Sequence, residues 1–157
     1  MPDPYINKLL DADLPCTDKS PVKGKLVCIL HARAEQRGLE LCPYPSRAVL
    51  KNEIHELILT AEAQAAPAQK VNRISYLGYF EVMEGGVLWT GDQVNLNGQL
   101  IGILAGYDLT HFPNHMNIVI KVQEPLYTGW EIDLLVGAPI EFIFTQKKSQ
   151  PGSNLVK

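Results

Sequence analysis

Short apolar runs separated by glycines and polar turns make up most of the chain from Val22 onward. "GKLVCILHARA" is apolar on both faces at first and then turns polar. Strand geometry places Val27, Ile29, His31 and Arg33 on one side of it. "RGLEL" reads as a short returning strand. One segment departs from this pattern. In "VLKNEIHELILTAEA", Leu50, Ile54, Leu57, Ile58 and Ala61 recur at helical spacing, which predicts a helix across residues 50–64. Ile, Leu and Thr near its end keep a strand open there. "AQAAPAQK" reads as a linker.

From Val71 the pattern is β. In "NRISYLGYFEV", Ile74, Tyr76, Phe80 and Val82 fall on one face, and "MEGGV" is a turn. "VNLNGQLIG" sets Asn97-Gly98 between two alternating arms. Both residues readily take positive φ, so a two-residue hairpin turn is expected. In the second arm Ile101, Ile103, Ala105 and Tyr107 share a face, while Gly102, Gly106 and Asp108 share the other. "NHMNIVIKV", "GWEIDLLV" and "IEFIF" supply three more strands. Frequent short strands with glycine turns predict a mainly-β, mostly antiparallel single domain, a distorted β-barrel with one helix. A parallel βαβ fold is excluded because helical segments are missing between the strands. Residues 1–21 read as an N-terminal arm with Tyr5, Ile6, Leu9 and Leu10 available to dock. Residues 22–145 form the barrel-like domain, and 146–157 a flexible C-terminal tail.

Composition adds bounds. A chain of 157 residues can bury about 70% of its unfolded surface and needs neither disulfides nor structural metal. Fourteen basic and seventeen acidic residues leave a net charge of −3, which argues against nonspecific nucleic-acid binding. The cysteines, Cys16, Cys28 and Cys42, are odd in number and form no Cys-x-x-Cys pair. That fits a reducing cytoplasm, with Cys28 expected as a small buried thiol. "MPDPYINKLL" lacks the features of a signal peptide. No apolar run approaches the roughly 20 residues of a membrane span. A cytoplasmic protein without a membrane partner is expected.

The chemistry concentrates in "YDLTHFPNHMNIVI". His111 and His115 stand four residues apart, beside Asp108, Thr110 and Asn114. Pro113 argues against a helix that would put both histidines on one face, and no zinc-helix motif is present. Metal therefore has His111 and His115 as candidates, with the third ligand to come from Asp108 or from elsewhere. On a strand from Asn114, Met116, Ile118, Ile120 and Val122 form the apolar face, which takes His115 off the core. Asp108, Thr110 and Asn114 could equally cap a turn. A second polar set is His31, Arg33, Arg37 and Arg47, with Glu53, His55 and Glu56 next along the chain. Arginine forks bind carboxylate or phosphate, while a solvated face of ion pairs accounts for the same residues. No phosphate loop or serine nucleophile elbow is present.

These residues carry two resemblances. "SPVKGKLVCILHAR", "RGLEL", "PSRAV", "EIHELI" and "THFPNHMNIVI" together resemble a small uncharacterised prokaryotic family, a domain of unknown function. This covers nearly the whole chain and implies no assigned activity. "GDQVNLNGQLIGILAGYDLTHFPNHMNIVIKV" with "TGWEIDLLVGAPIEF" after it, within residues 87 to 145, is similar in layout to the sorbitol-specific A component of the bacterial phosphotransferase system. That resemblance implies a β-barrel, with His115 at the x-His position before an apolar strand. The family's phosphorylated histidine lies upstream, and "NRISYLGYFEVMEGG" has none.

The expected function is binding of a small polar or anionic molecule in a barrel-end pocket. Asp108, His111, Asn114 and His115 would line it, with His31, Arg33 and Arg47 as cationic contributors. An enzyme would use His111 or His115 as acid/base with Asp108 orienting it. A structural or assembly module without ligand is the third alternative. No cofactor is identified by any motif. Exposed strand edges predict a homo-oligomer.

Overall fold

The computed structural model describes residues 17–145. The N-terminal arm up to residue 16, with Cys16, and the C-terminal tail from residue 146 lie outside the described residues. Twelve strands run through the described part: β1 (Val22–Ile29), β2 (Arg33–Ala34), β3 (Leu39–Glu40), β4 (Ser46–Val49), β5 (Ile54–Thr60), β6 (Lys70–Val71), β7 (Ile74–Glu84), β8 (Gly86–Trp89), β9 (Gln93–Leu96), β10 (Gln99–Asp108), β11 (Asn117–Lys121) and β12 (Pro139–Ile143). The main sheet runs β1-β12-β9-β10-β11-β5-β7-β2, and β1 also pairs with β7. Seven of its strands therefore close into a hydrogen-bonded ring, with β2 added on β7. β3–β6 and β4–β8 form two small ribbons. All pairings are antiparallel except β5–β11, which is parallel. The chain is mainly β, and among the described residues there is no helix.

The segment expected as a helix is β5. Strand alternation explains why the apolar spacing misled. Leu57 and Leu59 join the core shared by all seven ring strands, and Ile58 faces a second core with Leu39, Leu41, Val71, Ile74, Ala105 and Val119. Apolar residues buried on both faces produce an almost continuous run, which periodicity alone cannot separate from helix. Leu50 and Ile54, two members of the supposed helical stripe, are 69% and 45% exposed.

The ring core holds Phe80 packed against Phe142 with centroids 5.7 Å apart, among Leu26, Val94, Leu104, Tyr107 and Ile118. β11 keeps the predicted alternation: Met116, Ile118 and Ile120 face this core, and Val119 faces the second. Irregular pairings break the alternation elsewhere. A register shift between Leu57 and Ile58 on β5 changes the phase of β7. Ile74 and Tyr76 consequently belong to the second core, while Phe80 and Val82 belong to the ring core. A shift between Leu104 and Gly106 likewise separates Ala105 from Tyr107. Each extra residue in a bulge turns the later side chains of its strand to the opposite face.

The Asn97-Gly98 hairpin forms as the sequence predicts, with φ of 55° and 81°, the two positive values of a type I′ turn. "GWEIDLLV" forms no strand. It is a run of turns that leaves Trp130, Leu135 and Val136 exposed. β1 ends at Ile29, so Arg33 lies on a separate strand and the four-residue face from Val27 to Arg33 does not exist. Cys28 is exposed, because a register shift between Leu26 and Cys28 takes it out of the core phase.

Candidate functional site

The parallel pair creates a polar corner at one end of the ring. Parallel strands start at the same end of a sheet, so the entries of β5 and β11 lie side by side, with Asn117 beside Glu56. The ladder continues one step outward: Glu56 N–H donates to the Met116 carbonyl at 3.0 Å. Glu53, His55 and Glu56 thereby meet Asn114, His115 and Met116, far apart in sequence. β4 and the 109–116 turn border the same end.

Alternation sends His55 and Glu56 to opposite sides of β5. His55 is buried. Its Nδ1 accepts the Met116 N–H at 3.0 Å, and its Nε2 faces Glu53 Oε1 at 3.1 Å. Accepting at Nδ1 places the proton on Nε2, where it donates to Glu53. Burial lowers the His55 pKa against the opposing pull of Glu53, with smaller lowering from His115 and Arg47. The imidazole is held neutral as one tautomer. Burial pushes the Glu53 carboxyl up, but the Leu50 N–H and His55 outweigh it and hold the carboxyl below its ordinary value.

On the other side of β5, Glu56 and His115 form a second cluster. Their side chains are 8% and 12% exposed, and His115 Nε2 faces Glu56 Oε2 at 3.5 Å. Nε2 is buried without a formed hydrogen bond. Nδ1 of His115 lies 2.9 Å from Asn114 Nδ2. Tyr79, opposite Glu56 in the β5–β7 ladder, meets the His115 ring edge-on at 5.4 Å. A hydrogen bond to Glu56, reinforced by burial, pushes the Tyr79 phenol up to about 12. His111 is exposed and stacks on His115, with centroids 5.1 Å apart.

Arg47 and Asn114 border the first cluster. A pocket of ≈ 200 Å³ is lined by Arg47, Ala48, Glu53, Ile54, His55, Phe112, Pro113, Asn114 and Met116. The Arg47 guanidinium lies over the Phe112 ring at 4.7 Å.

The other expected site residues go elsewhere. Asp108 is buried and committed to its turn and strand: it accepts from Thr110 Oγ1 at 2.9 Å and from Asn117 Nδ2 at 2.8 Å. It hydrogen-bonds neither histidine, so Glu56 occupies the place an orienting carboxylate would take. His31 pairs with Thr128 Oγ1 at 2.9 Å. Arg33 binds the Leu126 carbonyl and the Glu131 carboxylate. These two residues brace the 126–131 loop and do not join the histidine corner. Among the described residues, no group of three or more His, Cys, Asp or Glu side chains could hold a metal ion.

The profile of a family of unknown function, DUF6917, matches residues 16–143. The chain belongs to the DUF6917 family. This agrees with the resemblance to an uncharacterised family and attaches no activity to it. No curated protein and no solved structure matches this DUF6917 chain. Among its described residues no helix is long and apolar enough to cross a membrane.

Glu53, His55, Glu56 and Tyr79 are the site residues that sequence reasoning did not select. A helix over 50–64 spreads the first three around a cylinder. Read as a strand, "NEIHEL" puts Glu53 and His55 on one side and Glu56 on the other. Nothing in the sequence states that β5 pairs with the strand after His115.

Proposed function

We propose that this DUF6917 protein binds a small polar or anionic molecule, and that the strand ring is a distorted β-barrel with the ligand pocket at one end. The observation that carries this is Arg47. It borders the ≈ 200 Å³ pocket, and among the described residues it makes no hydrogen bond or ion pair. A guanidinium with unused donors beside a small cavity of mixed polar and apolar lining suits a carboxylate or similar anion. The pocket is smaller than the roughly 300–1,000 Å³ common for drug-sized ligands, which favours a small molecule. The layout similarity of residues 87 to 145 to a phosphotransferase component supports the barrel. Asp108, His31 and Arg33 do not line this pocket and bond elsewhere.

The test is a thermal-shift screen of small metabolite-like acids, with NMR of the Phe112 and His55 rings as the second readout. Ligands that stabilise the wild type and fail to stabilise Arg47→Met support the reading. A screen in which no acid moves those rings ends it.

A further inference from the structure

The pocket carries both signs of charge: Arg47 is near enough for its charge to help lower the Glu53 pKa, yet the two groups do not pair directly. Arg47 and Glu53 line the same ≈ 200 Å³ cavity, yet they form no ion pair. Arg47 contacts the Phe112 ring and no described carboxylate. Glu53 spends Oε1 on the Leu50 N–H at 3.0 Å and on His55 at 3.1 Å. Its Oε2 has no hydrogen-bond partner among the described residues. Side-chain rotation would normally bring such groups together, but different elements hold them. Arg47 sits on β4. Glu53 is pinned at the entry of β5, its N–H donating to the Leu50 carbonyl at 3.1 Å and its carbonyl accepting the Val82 N–H at 2.8 Å.

A separated cation and anion on the walls of one small cavity match a molecule with the opposite arrangement. A guanidinium takes a carboxylate through its planar fork. A carboxylate oxygen with free lone pairs takes an ammonium. Ile54, Phe112 and Met116 supply apolar wall to the same cavity. A phosphate dianion fits less well, since Glu53 would repel it.

We infer that the pocket binds a small zwitterion of the amino-acid class, its carboxylate on Arg47, its ammonium on Glu53 Oε2 and a short apolar side chain against Phe112 and Ile54. This rests on the preceding reading that the pocket is a binding site and narrows it to one ligand chemistry.

The experiment uses the full chain and matched sets of probes. Each apolar amino acid from alanine to phenylalanine is compared with the acid lacking its amine and the amine lacking its carboxylate. For leucine these are 4-methylpentanoate and 3-methylbutylamine. Inorganic phosphate is added as a further probe. Affinities are read by calorimetry and by the ring signals of Phe112 and His55. At least one amino acid is expected to bind about tenfold tighter than either of its halves, the worth of one charge-assisted contact. Glu53→Gln should erase the advantage over the acid, and Arg47→Met the advantage over the amine. Glu53→Asp, which keeps the charge, should restore part of the first advantage and guards against a folding defect in the glutamine variant. If the plain acid or phosphate binds as tightly as the amino acid, the zwitterion is wrong while the pocket stands. If no probe moves either ring, both readings fall.

Discussion

His115 Nε2 and Glu56 Oε2 face each other at 3.5 Å where two parallel strands begin, and the Tyr79 phenol shares that carboxylate. The shared partner makes Tyr79 a reporter. Replacing Glu56 with Gln removes the charge that favours the protonated phenol. The Tyr79 pKa should then fall from about 12 toward the ordinary value of about 10. Ultraviolet titration of tyrosinate reads this directly, with Tyr79→Phe assigning the transition. An unchanged titration in Glu56→Gln would show that burial alone raises it.

His55 predicts an acid weakness. Its folded pKa is depressed, so near neutrality both folded and unfolded states carry it uncharged. As pH falls below about 6.5, the unfolded chain takes up the proton first and stability drops. The loss continues until the folded pKa is passed. Urea midpoints for wild type should therefore decline from pH 7 to 5, and His55→Asn should decline less. His55→Leu should cost about 1–3 kcal/mol at pH 7, because the buried Met116 N–H loses its acceptor.

Glu131 behaves differently, at lower pH. Its bond to Arg33, with help from the Thr128 N–H, holds its carboxyl down at about 2 against an ordinary 4.5. The stability it supplies is present above pH 4.5 and is lost as pH falls toward 2. Glu131→Gln should flatten the unfolding profile in that window and leave the neutral-pH site unaffected. Acid titration monitored by circular dichroism checks it. A profile unchanged by the substitution would remove Glu131 as its cause.

Gly78 marks where the ring closes. It pairs with Ile29 across β1–β7, and a Cβ there would lie 2.2 Å from the Cys28 carbonyl oxygen. Backbone must move to admit it. Gly78→Ala should cost about 1–3 kcal/mol or more in denaturant unfolding, as overpacking does. Gly98→Ala meets no atom within 4 Å, and its cost should come only from the positive φ of 81°.

Much of the fold was legible in local pattern. The Asn97-Gly98 turn needs two positive φ values, and few residue pairs supply them cheaply. β11 alternates cleanly because it carries no bulge. The hidden part is non-local. β5 is apolar on both faces because it lies between two cores, and a single sequence does not show the second. Bulges on β7 and β10 change the facing of later residues without a local signal. "GWEIDLLV" is apolar enough for a strand, yet it finds no partner strand. Part of the candidate pocket was legible: Asn114 and Arg47 line it, and His115 neighbours Asn114. Glu53 and His55 complete the pocket only because β5 and β11 run parallel, and no turn residue announces that pairing. Asp108 shows the opposite error, a polar residue whose neighbours in sequence already satisfy it.

The place of β12 in the ring has a consequence for biosynthesis. It fills the gap between β1 and β9, the earliest ring strand to leave the ribosome and a much later one. Until residues 139–143 emerge, each of those strands presents an unpaired edge, the kind that invites pairing with another chain. A nascent chain whose β12 has not yet emerged is therefore exposed to misassembly through these edges, and pairing of β12 is the event that seals them.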